Sequence, residues 1–217
     1  MMPIRRLVRN ALIPIGAFGL LLLVVLLVKG IETPDQREAR MLETQGSPRS
    51  LLGEWATCIA NGDRKGYLEC FTSSSQSLAE HEYAFARAGY DFQTSLIRAY
   101  GADAWKEFLA VQRNESSVLL DVPRDERWVE TVSIDVNQDE ASCMGPTGPM
   151  GMIKNDGIWQ IDFRPQFASH LNEQTIANVI DMETQSVRKA ASHIGAPDYD
   201  IRRLDREIGE YFSRMLK

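Results

Sequence analysis

The sequence predicts an α+β fold in which helices flank a block of antiparallel strands. Apolar residues recur every three or four positions through residues 48–109. The period shortens to two between residues 118 and 163, then returns to three or four from residue 168 onward. Helices grouped apart from strands argue for segregated layers rather than repeated β-α units.

The chain opens on a segment different in kind. Residues 1–10 carry Arg5, Arg6 and Arg9 and no acid. Residues 11–28, ALIPIGAFGLLLLVVLLV, are an uncharged run of 18. As a helix this run spans about 27 Å, close to the roughly 30 Å of a bilayer core. It exceeds a usual signal-peptide core and lacks a small-residue cleavage site, so a retained transmembrane anchor is favoured over a cleaved leader. The three arginines keep residues 1–10 in the cytoplasm and export the rest, making a single-pass cell-membrane protein with a periplasmic or extracytoplasmic domain. Residues 29–217 hold all 30 acidic side chains and all but three of the 24 basic ones, a net charge of −9. So acidic a domain is a poor ligand for nucleic acid. The bilayer is the partner expected for residues 11–28.

Residues 29–47 read as a charged juxtamembrane stalk, helical over residues 34–44. Ser47-Pro48 reads as an N-cap and first helical residue. Leu51, Leu52, Trp55, Cys58 and Ile59 then form one helical face, which Asn61-Gly62 stops. Asp63 caps a short second helix that turns Tyr67, Leu68 and Phe71 toward the same core. After the polar loop of residues 72–77, Phe85, Ala88, Phe92, Leu96 and Tyr100 keep helical spacing to Gly101. Gly89 weakens this stretch by about 1 kcal/mol, so a break near it is the alternative to a continuous helix. Trp105, Phe108 and Leu109 add another turn or two.

Residues 118–122 are a short strand candidate. Trp128, Val132, Ile134 and Val136 alternate with Val129, Thr131, Ser133 and Asp135 as a second strand, and residues 141–144 return the chain after a turn at 137–140. Residues 145–149 are rich in Gly and Pro and read as a loop or an edge bulge. In MIKNDGIWQIDF, Asp156-Gly157 suits a two-residue hairpin turn. That turn pairs Met152 with Ile161 and Met150 with Phe163, whereas a three-residue loop from Asn155 shifts the register. Ile176, Ile180, Val187, Ala191 and Ile194 form a helix that breaks at Gly195-Ala196-Pro197, and a last helix follows.

The opening LLGEWATCIANGDRKGYLECF, with WVETVSIDVNQDEASC and GMIKNDGIWQIDF, resembles NTF2-like domains of the SnoaL, cystatin-like α+β type. The likeness covers residues 48–167. It implies a curved antiparallel sheet wrapped around the N-terminal helices as a cone, with residues 168–217 as a C-terminal helical extension. Domains of this fold that are enzymes use a carboxylate, histidine or tyrosine inside the cone.

The residues available for such chemistry are His81, Tyr83, Asp91, Tyr100 and Asp121. His81 and Tyr83 lie in the polar stretch SLAEHEYAF, where a solvated surface is expected. Asp91, Tyr100 and Asp121 are the candidates for a ligand pocket, although no spacing among them demands a joint site. No catalytic residue is assigned. Three scattered histidines, and cysteines without a CxxC pair, offer no metal-ligand spacing, and no cofactor is expected. Cys58, Cys70 and Cys143 read as buried thiols, with a Cys58–Cys70 bridge the alternative. The four tryptophans fall on apolar faces and are expected in the core rather than in a ligand cage.

Ile201, Leu204, Ile208, Tyr211 and Met215 step by three and four, a seam of about two heptads. It either packs on its own domain or docks on a protein partner or a second copy. The reading that follows is a membrane-anchored binding or scaffold module without catalysis. Its alternative is a small-molecule pocket protein, isomerase-like, dehydratase-like or sensory.

Overall fold

The computed structural model describes residues 32–115, 126–145, 149–163, 172–197 and 200–215. Helix α1 (Pro34–Thr44) is followed by α2 (Pro48–Asn61), α3 (Arg64–Glu69), α4 (Gln76–Tyr100), α5 (Ala104–Glu115) and α6 (Glu126–Thr131). Strands β1 (Ile134–Asn137), β2 (Glu140–Met144), β3 (Pro149–Asn155) and β4 (Ile158–Asp162) come next, then α7 (Glu173–Ala191) and α8 (Ile201–Met215). The chain divides into two units at Met41–Leu42, within α1.

In the first unit a reciprocal cap starts α1. The Thr33 hydroxyl accepts the Gln36 N–H at 3.2 Å, and Gln36 Oε1 accepts the Thr33 N–H at 3.0 Å. Arg40 pairs with Glu32 at 2.9 Å along the same turns.

The second unit, from Leu42 on, builds its first helices from caps of the expected kind. Ser47 caps α2 through a capping box with Ser50, with Pro48 in the first turn. Gly62 ends the helix at a φ of 72°, a left-handed conformation that glycine adopts without Cβ strain. Asp63 then caps α3 by accepting the Gly66 N–H at 2.9 Å. Arg87, from α4, donates to the Ile59 and Ala60 carbonyls at 2.8 and 2.9 Å, satisfying the last turn of α2.

The sheet is an antiparallel meander in the order β1-β2-β3-β4. Asp156 and Gly157 take φ values of 50° and 85°, and Met152 faces Ile161 across the closing hairpin. This is the two-residue register, and it turns Met150, Met152, Trp159 and Ile161 onto one buried face with Ala141 and Cys143. The outer edge of β4 is covered: Ile161 donates to the Cys70 carbonyl at 2.8 Å and accepts the Thr72 N–H at 3.0 Å, while Trp159 donates to the Gln45 carbonyl at 2.9 Å. Trp55 and Trp159 are buried, and Trp105 and Trp128 pack against the core. A second layer is helix on helix, with α4 packed along α7 and α8 against α7 and α5.

Several expectations are corrected here. The expected NTF2-like cone with a transmembrane helix is not the architecture described. The sheet is four short strands in chain order, and helices predominate. The resemblance placed α7 and α8 outside the fold as an extension, whereas they complete its helical layer. Among the described residues no helix is long and apolar enough to cross a membrane. The apolar run of residues 11–28 lies outside the described residues, as does the strand expected at 118–122.

Two local readings also change. Trp128 and Val129 belong to helix α6, not to a strand that continues into Ile134. Arg49 reaches across the chain to donate to the Val129 carbonyl and, at 3.0 Å, to the Val132 carbonyl, so a cation satisfies the end of this one-turn helix. Likewise α4 runs unbroken through Gly89, which is buried within it. Packing of the apolar face along α7 outweighs the weak propensity of one glycine.

Candidate functional site

Two of the residues proposed for a pocket, Asp91 and Tyr100, lie apart from each other. Asp91 is exposed on α4 and pairs with Arg87 at 2.7 Å, orienting the guanidinium that caps α2. Tyr100 lies nine residues further along the same helix. That spacing is about 13.5 Å of rise and half a turn of rotation, so the two side chains leave opposite sides of α4. The Tyr100 hydroxyl accepts the Gly195 N–H at 2.9 Å and ties the end of α4 to the turn after α7. Asp121 lies outside the described residues.

The C-terminal seam turns inward. Ile201, Leu204 and Ile208 are buried, the latter two completely, where α8 meets α7 and α5. Tyr211 and Met215 continue the same helix, and their side chains lie outside the description. His193 and Glu207 tie α7 to α8 with a Nδ1–Oε2 distance of 2.8 Å.

Three polar clusters remain. At the α4–α7 interface, His81 Nδ1 lies 2.7 Å from Asp181 Oδ1, and His81 and Tyr83 are both half-buried. One position along, withdrawal from water and the negative charge of Glu183 hold the Glu82 carboxyl up to about 7. Withdrawal from water does the same to Glu183, also to about 7.

The second cluster is a clamp. The Ser75 hydroxyl donates to the buried Asp162 carboxylate at 3.0 Å and accepts the Phe163 N–H at 3.0 Å, with the Thr72 hydroxyl 2.9 Å away. It fastens the loop before α4 to the end of β4, and its hydroxyls are fully engaged. The third gathers Cys58, Cys70 and Tyr67 between α2 and α3. Burial pushes the Tyr67 hydroxyl well up, with the Glu82 charge adding to it. All three cysteines are free and buried. Among the described residues no group of three or more His, Cys, Asp or Glu side chains is placed to hold a metal ion.

What the interior does not supply, one edge of the sheet offers. Among the described residues no strand pairs with the outer edge of β1. The Asn137–Glu140 pair closes a two-residue turn at Gln138-Asp139, where Gln138 takes a φ of 55°. Such a closing pair exchanges both ladder hydrogen bonds, and the alternation then points the N–H and C=O groups of Ile134 and Val136 outward. Val136 lies on the core side of the sheet, opposite Ala141, yet is 52% exposed because nothing described covers that corner. Asp135 and Glu140 lie on the opposite face of this strand pair and Asp139 in its turn, all exposed, with no basic residue in β1, its turn or β2. Arg49, at the start of α2, is engaged with the α6 carbonyls. A sequence signal for this edge existed in the acid-only stretch IDVNQDE, but alternation alone does not tell an edge strand from a central one.

Comparison of the chain with protein-family models, with curated proteins and with solved structures gives no match.

Proposed function

We propose that the folded unit is a protein-binding module that accepts an extended, basic segment of a partner as an added strand on the edge of β1. The observation that carries this reading is the β1 edge, unpaired among the described residues, with its two outward backbone positions, half-exposed Val136 on one face and exposed Asp135 and Glu140 on the other. Strand addition obtains affinity from main-chain hydrogen bonds and specificity from alternate side chains. Here an apolar partner residue covers Val136, and lysines or arginines on either side meet Asp135, Asp139 and Glu140. The strand is short and carries a central aspartate, features that protect an edge against indiscriminate pairing and leave it selective for cationic strands. Ile201, Leu204 and Ile208 of the C-terminal seam take no part, because they are already covered.

The test uses a short synthetic peptide alternating lysine with isoleucine, titrated into the isotopically labelled protein. The amide signals of Ile134 and Val136 should shift first, and affinity should fall as salt is raised. Val136→Pro removes an outward donor without removing a ladder hydrogen bond, a substitution that sheet edges tolerate. It should weaken binding about tenfold or more while leaving the circular dichroism spectrum unchanged. Binding that leaves those two amides unmoved, or that is indifferent to Val136→Pro in the folded protein, would refute the reading.

A further inference from the structure

Cys58 sits near the end of α2, and Cys70 caps the end of α3. The reversal at Gly62-Asp63 brings α3 back beside α2 and aims both side chains at one residue, Gly66. A Cβ built on Gly66 would lie 2.8 Å from Cys58 Sγ, and Cys70 Sγ is 3.4 Å from the Gly66 carbonyl oxygen. Glycine at this position leaves the space the two sulfurs occupy. The neighbouring Cys58 thiol and burial push the Cys70 thiol well up, and both cysteines are buried, at 2% and 0% exposure. Cys143 stands elsewhere, on β2, so this is the one pairing the fold presents.

The surroundings decide when such a pair can react. Glu54 Oε1 lies 3.8 Å from Cys58 Sγ, and the charges of Glu54 and Glu69 both bear on Cys70. Lys65 pairs with Glu69 at 3.7 Å. Buried thiols facing carboxylates are poorly ionised and slow to react. In the folded protein the pair is inert, while in the folding chain both sulfurs are open to solvent. Closing the bond brings the two sulfurs, which both lie against Gly66, together to about 2.05 Å.

We propose that Cys58 and Cys70 are a disulfide site, closed while the chain folds in the presence of a small-molecule disulfide and then sealed by burial. In the first step the Cys58 thiolate attacks one sulfur of the small disulfide and releases one thiolate. In the second, the Cys70 thiolate attacks the Cys58 sulfur of the mixed disulfide and releases the other. The two protons lost by the cysteines end on the two released thiolates. Two protein thiols are oxidised and one small disulfide is reduced. The bond fastens α3 to α2 beneath the sheet and constrains the unfolded chain.

The full chain, denatured and reduced, is refolded in a mixture of glutathione and its disulfide, quenched with an alkylating reagent, and mapped by mass spectrometry. The expected product links the Cys58 and Cys70 peptides and leaves Cys143 alkylated, and its thermal midpoint lies above that of the reduced protein. Cys143→Ser should give the same link, and Cys58→Ser none within the chain. Already folded, reduced protein in the same mixture should close the bond about tenfold or more slowly than refolding protein. Refolding with all three thiols alkylated, or with Cys143 in the bond, would overturn the assignment. Equal rates for folded and refolding protein would overturn the sealing by burial.

Discussion

His81 and Asp181 join the two longest helices among the described residues, with Nδ1 2.7 Å from Oδ1 across the interface of α4 and α7. Next to them Glu82 and Glu183 are held up to about 7 from an ordinary value of 4.5. A carboxyl raised on folding binds more protons in the folded than in the unfolded state between those two values. Its favourable contribution is complete below about 4.5 and is lost as pH rises through about 7. Stability should therefore fall between pH 5 and pH 8, by about 1–3 kcal/mol for the pair. Urea denaturation at the two pH values measures this, and Glu82→Gln with Glu183→Gln should flatten the dependence. A stability curve that rises over this interval, with the double variant no different, would show that these carboxyls do not share the buried interface.

Trp159 is 4% exposed on the core side of β4, and its N–H donates to the Gln45 carbonyl at 2.9 Å. Trp159→Ala leaves the backbone bond and removes the ring, so a loss of about 3–5 kcal/mol is expected from chemical denaturation. A loss under about 1 kcal/mol would place the ring in solvent.

For α8 the structure reverses the simpler experiment. Leu204 and Ile208 are fully buried, so Leu204→Ala should cost about 2–5 kcal/mol. Ile208→Asp, which buries an unpaired charge, should cost more. The thermal midpoint of the whole domain reports both. If instead the domain keeps its midpoint and only self-association changes, α8 works as an external docking helix.

Ser75→Ala tests the clamp at the end of β4. The variant removes the donor of one hydrogen bond to buried Asp162 and the acceptor of the Phe163 N–H. Leaving buried groups unpaired costs about 1–3 kcal/mol. Hydrogen exchange should accelerate at Phe163 and Thr72 before it does in α4, and an unchanged exchange pattern there would mean that the hydroxyl holds nothing.

The sequence by itself determined the elements whose causes are local. Ser47-Pro48, Gly62 and Asp63 start and stop α2 and α3 through groups within four residues of each other. Asp156-Gly157 set the closing hairpin because the turn and the period-two face agree on one register, Met152 against Ile161. Tertiary structure decided what depended on distant partners. Trp128 became helical where Arg49, about eighty residues away in the chain, satisfied the carbonyls at the end of its turn. Asp91 became a support for Arg87 because α4 passes the end of α2, and helical geometry parted it from Tyr100. The C-terminal stripe needed a cover, and periodicity says only that it must be buried, not against what. The fold supplied α7 and α5. The acid-only stretch IDVNQDE hinted at the edge of β1, but alternation did not identify it, because an edge is defined by a neighbour absent among the described residues.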